Sequence, residues 1–194
     1  MKKTIERWRL HALAGLLVLA APFTQAADPL PKVQLTTNMG NIVIELYPEK
    51  APKTVQNFLR YVKEHHYDGT LFHRVINGFM IQGGGFTPKL EQKPTHDPIP
   101  LETNNGLKND IYTVAMARTG NPNSATAQFF INVTNNTNLN APMPDGYGYA
   151  VFGKVIQGTE VVEKIKAVRT TRFGYMADVP AEPVIIQAAS LQTP

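Results

Sequence analysis

The chain has 194 residues, 43% hydrophobic and 18% charged, a length and balance that suit one domain with a buried core. Its formal net charge is +4 and it has no cysteine, which excludes disulfides, thiol catalysis and Cys-based zinc sites. The 15 prolines and 14 glycines point to many turns and a β-rich fold.

The chain opens with a basic stretch, MKKTIERWR, followed by ALAGLLVLAA, an apolar run in the length range of a signal-peptide core and too short to span a bilayer. Thr24 and Ala26 then supply small residues at the −3 and −1 positions of a cleavage site. The sequence therefore predicts a signal peptide over 1–26 and a mature domain over 27–194, exported to the periplasm without a membrane anchor. Removing the leader leaves 15 basic and 14 acidic residues, a net charge of +1, so the basic pI gives no reason to expect nucleic acid as a partner.

After a short linker, VQLTTNMGNIVIEL alternates on either side of Asn38–Asn41 and reads as a hairpin. APKTVQNFLRYVKEHHY reads as an amphipathic helix, with Val55, Phe58, Leu59 and Val62 at i, i+3, i+4 and i+7. TLFHRVI, FMIQ, YTVAMAR, QFFINV, YAVFGKVI and PVIIQAAS read as further strands. TEVVEKIKAV reads as a second helix, with Val161, Ile165 and Val168 on its buried stripe. The sum is about eight strands and two helices, the pattern of a barrel or sandwich. Two long loops, roughly 84–111 and 134–148, interrupt it.

The polar residues offer little familiar chemistry. His65 and His66 are adjacent at a helix end, where positive charge is favourable, and His96 lies in a Pro-rich loop. No histidine has metal-ligand spacing, so no metal is expected, and neither Ser124 nor Ser190 sits in a nucleophile motif. The stretch FHRVINGFMIQGGGF sets Arg74 among apolar neighbours. Strand alternation puts Phe72, Arg74 and Ile76 on one face and Leu71, His73 and Val75 on the other. On this pattern alone, an arginine that snorkels to water or pairs with a carboxylate is the more economical reading. Gly83–Gly85 lacks the spacing of a phosphate-binding loop and suggests close backbone approach.

Three blocks, FHRVINGFMIQGGGF, TVAMARTGNPNSATAQFFINV and YAVFGKVIQG, resemble in order the signature blocks of cyclophilin-type peptidyl-prolyl isomerases, most of all the exported bacterial branch. The resemblance spans Lys32–Ser190. It implies a mainly β fold, a closed eight-stranded antiparallel barrel with two capping α-helices. It also implies isomerisation of X–Pro bonds in exported proteins, with no cofactor, by a monomer whose partners are proline-containing polypeptides. Arg74 matches the arginine that hydrogen-bonds the substrate proline. Phe79, Met80 and Phe130 match the proline pocket, and Gln82 matches the amide that holds substrate backbone. Ala117, Gln128 and Leu139 match further lining positions.

Several residues depart from the family pattern. Asn77 stands at a turn position that is usually proline. Arg118 and Thr119 replace an Asn-Ala pair next to the substrate backbone. Tyr149 replaces a pocket histidine, and Asn138 falls where members carry Trp or Phe, which implies weak cyclosporin binding. These departures leave a second reading open, a domain that holds proline segments without turnover. A barrel that carries a small molecule in its interior is a third.

Overall fold

The computed structural model describes residues 29–192. The leader read over 1–26 lies outside them. Eight strands close into a barrel in the order β1-β10-β3-β4-β6-β5-β7-β2, and every neighbouring pair is antiparallel. The strands are β1 (Lys32–Thr37), β2 (Gly40–Leu46), β3 (Thr70–Ile76), β4 (Met80–Gly83), β5 (Thr113–Met116), β6 (Phe129–Asn132), β7 (Val151–Gln157) and β10 (Ile185–Gln192). Closure pairs the edges that an open sheet would expose.

Alternation along the strands sorts side chains into two apolar clusters. Leu35, Ile44, Phe72, Ile81, Phe129, Ile131 and Phe152 belong to the larger cluster, the barrel interior. Met80, Ala115, Phe130 and Val151 belong to a smaller cluster with Leu139, on the outer face. Neighbours in sequence thus part company: Met80 from Ile81, Phe129 from Phe130. An interior filled by these rings and branched chains is a packed core, the opposite of a carrier's cavity.

Helices α1 (Pro52–Lys63) and α2 (Thr159–Lys166) add Val55, Phe58 and Tyr61, and Val161, Val162 and Ile165, to the interior cluster. Proline at the first turn suits α1, since its missing N–H had no helical partner there. The Glu102 carboxylate, reaching in from the 84–111 loop, accepts from Lys53 N at 3.2 Å, Thr54 N at 2.8 Å and Thr54 Oγ1 at 2.7 Å.

The helix read through Tyr67 stops at Lys63. His65 follows in the left-handed region with φ 55°, paired with Asp68 at 2.9 Å. His66 is buried, with Nε2 3.2 Å from Gly84 O. The basic residues of the helix's last turn are Arg60 and Lys63, so neither histidine plays the helix-end role expected of it. Two further strands were not anticipated: β8 (Thr170–Phe173) and β9 (Met176–Pro180) form a separate hairpin.

Candidate active site

The outer cluster forms one wall of a cavity of about 260 Å³. Arg74, Phe79, Met80, Gln82, Ala117, Arg118, Phe130, Leu139 and Tyr149 line it. Nine of the ten residues singled out in the sequence therefore meet at one place. The tenth, Gln128, lies just beyond, where its Oε1 accepts from Gln82 Nε2 at 2.9 Å. That bond fixes the Gln82 amide and leaves its carbonyl available to a peptide N–H.

Arg74 reaches the cavity because β3 is bulged. Register against β4 slips between Phe72 and Arg74. Simple alternation had put Phe72 on Arg74's face. The bulge at His73 instead turns Phe72 inward with Val75, while Arg74 and Ile76 face outward. His73 is buried, 4.6 Å from Phe86 between ring centres, and its Nδ1 has no hydrogen-bond partner. Burial lowers its pKa to about 4, so the ring beside Arg74 is neutral at physiological pH.

The three glycines pack tightly. A side chain on Gly84, held at φ 84°, would strike Tyr67, and one on Gly85 would come within 2.5 Å of Gln128 Cγ. Close approach is thus their role here, and at Gly85 it makes room for the glutamine that orients Gln82.

The far wall comes from the 134–148 loop, which a network of buried asparagines pins to the barrel. Asn109 Nδ2 donates to Leu139 O and to Tyr149 O, each at 3.2 Å. Asn136 Nδ2 donates to Phe79 O and to Asn132 Oδ1, each at 2.7 Å. Asn132 Nδ2 donates to Asn109 Oδ1 at 3.2 Å. Three lining residues are held by main-chain carbonyls in this way. No local pattern signals this network, because asparagine in a polar run reads as turn chemistry.

Arg118 is a second pin. Its side chain is 1% exposed, and it donates from Nε to Gly148 O at 3.0 Å and from Nη2 to Asp145 Oδ1 at 2.9 Å. Its guanidinium carbon lies 4.5 Å from the centre of the Tyr149 ring, which meets Phe130 edge-on at 5.6 Å. Burial pushes the Asp145 carboxyl upward, but the hydrogen bonds from Arg118 and the Tyr147 amide outweigh it and hold the group below its usual value. Arg118 and Tyr149, two departures from the expected pattern, are thus partners of each other. Asn138 is exposed in the short 3-10 turn Thr137–Leu139 and does not line the cavity.

A donor at the rim of a partly apolar cavity, with an oriented amide beside it and no Ser, Thr, Cys, Lys, His or carboxylate among the lining residues, suits a reaction that breaks no bond. The family description "Cyclophilin type peptidyl-prolyl cis-trans isomerase/CLD" matches residues 32–191. The chain belongs to the cyclophilin-type peptidyl-prolyl cis-trans isomerases. It is 58% identical over 161 residues to the peptidyl-prolyl cis-trans isomerase cyp18 of Streptomyces antibioticus, covering 82% of this chain and 97% of that one. It is 56% identical to peptidyl-prolyl cis-trans isomerase B of Escherichia coli, with coverage of 82% and 98%. Among solved structures, a cyclophilin-type isomerase of Cryptosporidium parvum, crystallised in the presence of the dipeptide Ala-Pro, superposes with a TM-score of 0.73. It is 28% identical and the match covers 84% of this chain and 99% of that one. As a cyclophilin, the protein is an isomerase of X–Pro bonds.

Beside this cavity lies a more polar one of about 320 Å³, whose lining includes Gln92, Thr95, Thr119, Ser124 and Thr126. Of these, the sequence marks only Thr119, as a departure beside the substrate backbone, and Ser124, as a serine outside any nucleophile motif; Gln92, Thr95 and Thr126 carry no signal. They come from two separated loops whose meeting no local pattern announces.

Proposed function

We propose that this cyclophilin rotates X–Pro bonds in exported proteins, with Arg74 as the catalytic group and no cofactor. The observation that carries the reading is Arg74 at the edge of a cavity walled by Phe79, Met80, Phe130 and Leu139. An X–Pro bond exchanges between cis and trans over roughly tens to hundreds of seconds. Its barrier, about 18–20 kcal/mol, is amide resonance. As the bond twists, conjugation is lost and the proline nitrogen gains a usable lone pair. A guanidinium is charged at any relevant pH and donates to that nitrogen more strongly as the twist proceeds. Only interactions that strengthen toward the transition state raise the rate of the chemical step.

Magnitudes set the share of each part. Shortening ~100 s to ~1 ms is about 10⁵-fold, or about 7 kcal/mol. A hydrogen bond from a charged donor supplies about 1.5–3 kcal/mol. The remainder falls to the preorganised cavity: the proline ring against Phe79, Met80, Phe130 and Leu139, and substrate backbone on Gln82 and its partner Gln128. Ala117, Arg118 and Tyr149 complete the wall. Arg74→Ala lowers kcat/KM by at least about tenfold in a protease-free peptide assay with the fold intact. Near-wild-type turnover would overturn the assignment.

Export is supported by the basic stretch, apolar run and small residues of the first 26 positions. N-terminal sequencing of protein from the periplasmic fraction should begin at Ala27. A chain starting at Met1 in the cytosol would contradict it. Asn138, where the family pattern has an aromatic residue, underlies a reading of weak cyclosporin binding, and the chain is read as acting as a monomer.

A further inference from the structure

The β8–β9 hairpin stands outside the barrel, yet one end of it reaches the active site. β9 packs along β3, the strand that carries Arg74. Asp178 on β9 brings Oδ2 to 3.9 Å from Arg74 Nε. Asp178 has φ 61°, a conformation that short polar side chains tolerate. From Asp178 the strand runs outward to Tyr175, three residues or about 10 Å of extended chain.

The tip has a defined shape. Phe173 pairs with Met176 across the two-residue turn Gly174–Tyr175. Positive φ in this turn falls on Gly174 alone, at 56°, the arrangement of a type II′ hairpin turn. A two-stranded hairpin is marginal in water by itself, and this one is anchored by the buried Val179 and Pro180 at its base. All four residues of β8 are exposed. Phe173 is 59% exposed and Tyr175 is 88% exposed, so neither ring serves the core. Arg172 is exposed beside them. Exposed aromatic side chains with an arginine are the composition that binding surfaces favour.

We propose that the hairpin tip is a docking surface for the stretch of client polypeptide that flanks the proline. It takes an apolar or aromatic side chain against Phe173 and Tyr175 and an acidic one against Arg172. The proposal rests on the assignment of the Arg74 cavity as the proline site. Continuity with that site fixes the partner: a chain whose proline sits beside Arg74 reaches the tip within about three or four extended residues. A tetrapeptide centred on the proline is too short to use it.

The test compares two substrates, Ala-Ala-Pro-Phe and a 12-residue peptide that extends this core on both sides with Leu, Phe and Asp. In the intact mature protein, kcat/KM for the long peptide should exceed that for the short one by about tenfold. In the double variant Phe173→Ser/Tyr175→Ser the advantage should shrink to less than about twofold, with the short peptide unchanged. Both substitutions are at exposed positions and leave the core intact. An undiminished advantage in the variant would overturn the proposal, as would an equal loss on both peptides. Sedimentation that finds a dimer in the wild type and a monomer in the variant would also overturn it, by assigning the tip to a second copy of this chain. Arg74→Ala separates the two readings: it should lose both peptides, and if it keeps both, the cavity assignment fails and the docking proposal with it.

Discussion

Phe129 and Phe130 are neighbours on one strand and do opposite work. Phe129 points into the barrel, where it meets Phe58 at 5.5 Å, Tyr67 at 5.5 Å and Phe72 at 6.1 Å, all edge-on. Phe130 points outward, meets Tyr149 and lines the cavity. Because successive residues of a strand face opposite ways, one sheet holds the fold with its inner side and presents a site with its outer side. Substitutions on the inner side should therefore read out as stability, and those on the outer side as activity.

The comparison is broken most forcefully from within. Phe129→Ala should lower unfolding free energy by about 3–5 kcal/mol in urea denaturation. The fraction that remains folded should keep kcat/KM within about threefold, since its ring does not touch the cavity.

His73 sits on the boundary between the two sides and gives a pH test. In the folded state its ring stays neutral down to about pH 4, whereas the unfolded chain takes up the proton near pH 6.5. The unfolded state therefore binds more protons between these values, and stability falls as pH drops through this window. The full loss is about 3 kcal/mol, reached near pH 4. His73→Leu should remove this component, measured as the difference between the two denaturation series.

A smaller effect sharpens the comparison at the loop wall. Asn109→Ala leaves buried partners unsatisfied and should cost about 1–3 kcal/mol. Because Asn109 holds Leu139 and Tyr149, KM should rise severalfold as well, a mixed outcome that neither pure face produces. Smallest of all is Tyr149→Phe. The packing of that ring against Phe130 and Arg118 survives, so kcat/KM should change by less than about twofold.

Much of this division was legible in the sequence. Alternation marked the first hairpin, short apolar runs between turns marked the other six barrel strands, and Val55, Phe58, Leu59 and Val62 marked the face of α1. What escaped had physical reasons. The bulge at His73 inverts Phe72, and a bulge depends on the partner strand. The asparagine network joins residues far apart in the chain. The segment TTRFGYMADVP shows no apolar alternation because its first strand is wholly exposed and only its second strand packs on β3. Arg74 is the sharpest case. Its pattern favoured a snorkelling side chain, and only the three family blocks, read together, made it a candidate catalyst.

The division is tested most directly by measuring kcat/KM and the urea midpoint together on Arg74→Ala and Phe129→Ala. Arg74→Ala should lose at least about tenfold in kcat/KM while its unfolding free energy stays within about 0.5 kcal/mol of wild type. Phe129→Ala should do the reverse. If Arg74→Ala keeps its activity, or loses it only by unfolding, the outer face is not where the bond is turned.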